Sequence, residues 1–196
     1  MVKCPECNED IRMDTSARMA YCSGCGSTVI KHGNELAAGQ KMPPVAETPG
    51  RFSEAGSIII NGTEYEICGV LRFISDDNFW DDWQLLTQDG KFHILSEGED
   101  EYALLDEIRD LPLMPSPVMT YEGNTIIEGR QIEVYSSGKA VFAGIRGQSP
   151  GIYAPLEEIR FIKGVSGRDA VWLIWHQDRI MLAKGTLLRY KEIKLK

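Results

Sequence analysis

A chain of 196 residues that is 43% hydrophobic and 26% charged suits one medium domain plus a small appendage, and its composition excludes wholesale disorder and a membrane-spanning helix. A net charge of −8 argues against general affinity for nucleic-acid phosphates. The opening "MVKCPEC" has no apolar leader, so a cytoplasmic location is expected, where thiols stay reduced.

The first element is "CPECNEDIRMDTSARMAYCSGCG", which carries Cys4, Cys7, Cys22 and Cys25 as two C-x-x-C pairs. In each pair a tight turn brings two sulfurs toward one point. Pro5 presets the first turn, and Gly24 and Gly26 permit the second. Four thiolates at about 2.3 Å fill the tetrahedral shell of Zn²⁺ and leave no position for substrate, so one structural zinc is expected. So short a segment buries too little apolar surface to hold together alone, and metal binding must supply much of its folding free energy. Fourteen residues separate the pairs, slightly fewer than usual but compatible with a zinc ribbon over residues 1–30. No βαβ pattern accompanies the cysteines, which argues against a redox role. In the ribbon, Lys3, Arg12, Arg18 and Lys31 are offset by Glu6, Glu9, Asp10 and Asp14, and Tyr21 is the lone aromatic ring of the first thirty residues. That is a poor platform for nucleic acid.

Residues 31–52, "KHGNELAAGQKMPPVAETPGRF", hold three glycines, three prolines and few large apolar side chains. They read as a flexible linker that lets the ribbon move, with at most a helical turn at "ELAAGQK". His32 follows the completed cysteine set and is expected in solvent.

From residue 53 to 196 the pattern alternates with period two, and turn signals interrupt it at short intervals. Asn61-Gly62 fits a type I′ hairpin turn, and Asp89-Gly90, Ser137-Gly138 and Gln177-Asp178 mark three further hairpins. Cys68 sits in an apolar strand pattern and reads as a small buried hydrophobe. "EYALLDEIRDL" fits either a helix or an edge strand. The fold class is therefore mainly β: a zinc ribbon followed by an antiparallel β-barrel or β-sandwich. "VLRFISDDNFWDDWQLLTQDGKFHILSEG" and "EIRFIKGVSGRDAVWLIWHQDRIMLAKG" share RFI, tryptophan and glycine landmarks, which suggests two similar segments. Residues 53–112 carry a net charge of −12 and residues 113–196 a net charge of +4, so the segments attract one another.

The stretch "GVLRFISDDNFWDDWQLLTQDGKFHILSEGEDEYAL", with the later "YEGNTIIEGRQIEVYSSGKAVFAGIRGQSPGIYAPL", resembles a bacterial domain family of unknown function that often follows an N-terminal zinc ribbon. Gln84 and His93 depart from its pattern, where many members have glutamate and tryptophan. The resemblance carries no activity. It implies a setting among envelope-stress operons, beside phage-shock-type membrane-remodelling proteins, and hence a protein partner in a membrane-stress assembly.

In "DDNFWDDW", the residues Asp76, Asp77, Trp80, Asp81, Asp82 and Trp83 form a candidate ligand or partner surface, because carboxylates and rings together suit a cation or a polyamine. Strand alternation opposes this by placing Asp81 with Trp83 on one face and Trp80 with Asp82 on the other. His32, His93 and His176 accompany no nucleophile motif or phosphate loop, so no enzyme is expected. The basic end "LLRYKEIKLK" reads as a solvated last strand. The sequence thus predicts a non-catalytic, zinc-binding adaptor for a protein partner; the alternatives are a nucleic-acid-associated ribbon protein and a polyamine- or cation-binding module.

Overall fold

A computed structural model of the chain describes residues 1–45, 52, 56–76, 78–98, 101–112, 123–176 and 179–196. The N-terminal strands are β1 (Val2–Lys3), β2 (Asp10–Ile11), β3 (Met19–Tyr21), β4 (Ser27–His32) and β5 (Glu35–Lys41). A second group comprises β6 (Ser57–Ile60), β7 (Thr63–Ser75), β8 (Phe79–Leu86), β9 (Phe92–Glu97) and β10 (Tyr102–Leu111). A third comprises β11 (Gly123–Ile127), β12 (Arg130–Ser149), β13 (Glu158–Ser166), β14 (Asp169–His176) and β15 (Arg179–Leu188). A 3-10 turn at Tyr190–Glu192 leads into β16 (Ile193–Leu195).

Eight strands close into an antiparallel barrel in the order β7-β8-β9-β10-β15-β14-β13-β12, with β12 pairing back to β7. Closure decides between barrel and sandwich, and it satisfies the backbone groups that an open sheet leaves at its edges. Phe73, Trp80, Phe142, Phe161 and Ile174 come from five strands around the ring yet share one packed cluster, so they point inward. Outside, Ile58 and Ile60 of β6 and Ile193 of β16 pack on Val70, Trp83 and Leu95. Ile127 of β11 packs with Ile162 and Leu173 over the other half.

The second and third groups share one plan: a hairpin, then three more strands. Both hairpins turn on a positive-φ pair, Asn61 (51°) with Gly62 (83°) and Glu128 (51°) with Gly129 (75°). The first long strands, β7 and β12, pair with each other, as do the last, β10 and β15. Two similar segments are therefore present, but offset by one strand from the shared landmarks: the first RFI lies in β7 and the second in β13. Acidic groups of the first half meet basic groups of the second in Glu64 with Lys196 at 2.8 Å and Glu107 with Lys184 at 3.9 Å, while Arg109 with Glu128 pairs in the reverse sense.

Several expectations need correction. Ser137-Gly138 is no turn, because β12 runs straight through it. Gly138 lacks a positive φ, and a Cβ there would meet the Phe161 ring at an ordinary contact distance of 3.8 Å. Asn61-Gly62 and Asp89-Gly90 do turn, Gly90 having φ 80°; Gln177-Asp178 lies outside the described residues, between the paired ends His176 and Arg179. "EYALLDEIRDL" is strand β10, with an irregularity between Leu105 and Glu107. Residues 31–52 are not wholly linker, since β5 pairs with β4 from His32↔Glu35 to Ser27↔Lys41 and carries the ribbon sheet to Lys41. The scarcity of large apolar residues there reflects an exposed outer strand.

Nor does the ribbon hang free. β3 pairs with the end of β12 at Ala20↔Gln148 and Met19↔Ser149. The Asp14 N–H donates to Gln148 Oε1 at 2.7 Å, and Arg12 Nη2 donates to Glu66 Oε2 at 2.9 Å. Close approach at this seam requires glycine: a Cβ on Gly69 would collide with the Gln148 carbonyl oxygen.

Candidate metal centre and barrel mouth

Each cysteine pair sits on a backbone turn. The Asn8 N–H donates to the Cys4 carbonyl at 2.9 Å, with Asn8 at φ 64°, and the Gly26 N–H donates to the Cys22 carbonyl at 2.8 Å, with Gly26 at φ 76°. The turns bring one Sγ from each of Cys4, Cys7, Cys22 and Cys25 within 4.8 Å of the others. Sγ–Sγ separations are 3.8 Å for Cys4 with Cys25 and 3.5 Å for Cys7 with Cys22. A tetrahedron with metal–sulfur bonds of about 2.3 Å has edges of about 3.8 Å, so the donor set fits one tetrahedral ion. These spacings far exceed a disulfide bond of about 2.05 Å, and all four thiols are free. The Ser27 hydroxyl and backbone N–H draw Cys25 down to about 6, preparing a thiolate. Cys7 and Cys22 shift the other way: the backbone N–H of Glu9 pulls Cys7 down but is outweighed by desolvation and the neighbouring sulfurs, which leave it at about 12, and burial raises Cys22 against the backbone N–H groups of Cys25 and Gly24. His32 is exposed and outside the set, as expected.

The acidic-aromatic stretch is split between exposed and buried residues. Asp76 is exposed, and Asp77 lies outside the described residues. Trp80, Asp81, Asp82 and Trp83 are all buried, and alternation splits them as predicted. On the outer side, Asp81 receives Arg72 Nε at 2.7 Å and Nη2 at 2.6 Å, and Trp83 Nε1 donates to Glu97 Oε2 at 2.8 Å. On the inner side, Asp82 shares the interior with Lys163, whose ammonium lies 3.9 Å from the Trp80 ring centroid and 4.2 Å from that of Trp172. Burial pushes Asp82 up to about 6, against the pull of Lys163. Burial also pushes Lys163 down to about 8. Those four residues of the stretch are buried, so they do not offer the carboxylates and rings of a surface to a partner or a free cation.

Sequence reasoning missed the barrel mouth beside the ribbon. A cavity of about 380 Å³ opens there, within the ~300–1,000 Å³ typical of small-molecule sites. Its wall includes Leu71, Ile94, Ile108, Ile174 and Met181, with Gln84 and Tyr153 among them. Gln84 is fully buried; its Nε2 donates to the Asp82 carbonyl at 2.9 Å, while Oε1 has no hydrogen-bond partner among the described residues. His176 Nε2 lies 3.0 Å from Glu157 Oε2 in the same wall. Arg18 of the ribbon reaches the rim, held by its backbone N–H to the Ser149 carbonyl at 2.9 Å. Only closure of the ring assembles this site. The polar Gln84 among apolar strand residues was its one sequence signal.

Cys68, at the seam between ribbon and barrel, is buried as expected and donates to the Gln84 carbonyl at 3.3 Å; burial pushes its thiol up to about 12. Among the described residues, no helix is long and apolar enough to cross a membrane. No curated protein and no solved structure matches the chain. Residues 55–189, which take in the whole barrel and leave out the ribbon, match the family described as Domain of unknown function (DUF4178), and this chain belongs to that family.

Proposed function

We propose that this protein is a non-catalytic binding protein: a barrel that holds a small molecule in its mouth, with a zinc ribbon fixed against the rim. The observation that carries this reading is the cavity of about 380 Å³, with an apolar wall and a fully buried Gln84 oxygen that has no hydrogen-bond partner among the described residues. An eight-stranded barrel is wide enough to fill its interior with side chains or to keep one small ligand. Here aromatic residues and the Asp82–Lys163 pair fill the far part, and the mouth stays open. Zinc is the metal best suited to four thiolates in a closed site. A panel of small amphipathic molecules tests the reading by thermal shift. At least one should raise the melting temperature of the native protein and not that of Ile108→Trp, which fills the cavity. No shift with any compound, or equal shifts in both proteins, contradicts it.

A second reading keeps the adaptor role for a protein partner in a membrane-stress assembly. It is favoured by β5, the last strand of its sheet, which pairs on one side with β4 and exposes most of its side chains. An extended segment of a partner could add to that edge. Ala38→Pro would remove an edge feature of the strand and should abolish capture of such a partner while leaving the barrel intact.

A further inference from the structure

The cavity's rim carries a charge opposite to that of the chain. The protein has a net charge of −8, yet Arg18, Lys91, Arg109 and Arg179 stand at the mouth against Asp106 and Asp110. They come from separate elements: Arg18 from the ribbon, Lys91 from the turn before β9, Arg109 from β10 and Arg179 from the start of β15. Arg109 is engaged by Glu107 at 3.2 Å and by Glu128. Arg179 Nη2 donates to the Ile152 carbonyl at 3.1 Å, which steadies its guanidinium over the opening. Arg18 and Lys91 are exposed and make no ion pair among the described residues. Below this rim the wall turns apolar, and deeper still stands the Gln84 oxygen, without a partner among the described residues.

From this order of chemistry, basic at the rim and apolar within, we infer that the mouth takes a single-chain anionic amphiphile, with its carboxylate or sulfate head against Arg18 and Lys91 and its chain inside the barrel. The inference rests on the cavity reading above and adds the ligand's charge and orientation to it. A neutral chain would gain the apolar burial but leave the rim cations unsatisfied. A cationic chain would meet a rim of its own sign. Charge-assisted contacts to two basic groups add to affinity and fix which end faces water.

Isothermal calorimetry of the zinc-loaded full chain with dodecanoate, dodecanol and dodecyltrimethylammonium, each below its micelle threshold, separates the possibilities. Dodecanoate should bind at one site per chain, on the order of tenfold or more tighter than dodecanol. The cation should bind least. Arg18→Ala with Lys91→Ala should bring dodecanoate down to the affinity of dodecanol and leave dodecanol unchanged; both positions are exposed, so folding is spared. Ile108→Trp should abolish binding of both chains. Equal binding of dodecanoate and dodecanol, or tightest binding of the cation, overturns the anionic assignment and leaves the cavity reading standing. Absence of binding by all three overturns both.

Discussion

The ribbon and the barrel are built from the same kind of strand but are held by different means. In the barrel, large side chains from many strands meet: Phe73 stacks on Trp80 at 5.3 Å and meets Phe142 at 5.6 Å and Tyr153 at 5.5 Å. The ribbon's own buried set is small, with Ile11, Met13, Ala17, Ala20 and Val29 around Cys4 and Cys22. It borrows Cys68, Leu86 and Phe92 from the barrel to complete its packing. The difference teaches that burial suffices where a ring closes on itself, whereas a short sheet leans on a neighbour at its side and carries four cysteines that could hold a metal at its end.

The strongest way to break this contrast is to remove a ligand. Cys22→Ser should abolish metal binding, seen by elemental analysis as a fall from one metal per chain, because apparent zinc binding energies in such sites are about 10 kcal/mol or more. Its far-ultraviolet signal from the barrel should persist. Truncating the barrel core comes next: Phe73→Ala should cost about 3–5 kcal/mol in urea unfolding, since a fully buried ring leaves a cavity among three aromatic neighbours. Metal content should be unchanged in that variant under native conditions.

A smaller effect sharpens the account of the interior. Asp82 is raised from 3.8 to about 6 in the fold, so the folded chain holds a proton that the unfolded chain has lost. Stability should therefore fall as pH rises from near 4 through about 6. Lys163 is lowered from 10.5 to about 8, so there the unfolded chain holds the extra proton. Stability should rise again between about 8 and 10.5. Each arm amounts to about 3 kcal/mol, and Asp82→Asn with Lys163→Met should flatten the profile measured by urea unfolding at several pH values. The smallest effect belongs to the seam: Arg12→Ala removes a half-exposed pair with Glu66 and should cost about 0.2–1 kcal/mol, read by the same titration.

Much of this architecture is legible from local rules. Cysteine spacing carries the metal site, because ligand convergence depends on two turns a few residues long. Asn61-Gly62 and Asp89-Gly90 announce their hairpins because positive φ is a local demand. Ser137-Gly138 misleads because Gly138 takes no positive φ and β12 continues through it. The repeat is readable in the wrong register for a similar reason. Matching tryptophans and RFI triplets align β7 with β13, whereas "IINGTEYEI" and "IIEGRQIEV" align the two I′ hairpins that start each half. The mouth cavity is the least legible feature. It forms between β7, β8, β9, β10, β14 and β15, with Arg18 of the ribbon at its rim, and no short stretch of sequence carries it.

Hydrogen exchange of the metal-loaded protein, before and after a chelator, addresses the contrast between the two regions most directly. With the ion removed, amides of residues 1–41 should lose protection, including those of Arg18 and Lys31 at the ribbon's strand pairings, while β7, β8, β13 and β14 keep theirs. Equal loss of protection through ribbon and barrel, or no change in either, would contradict it.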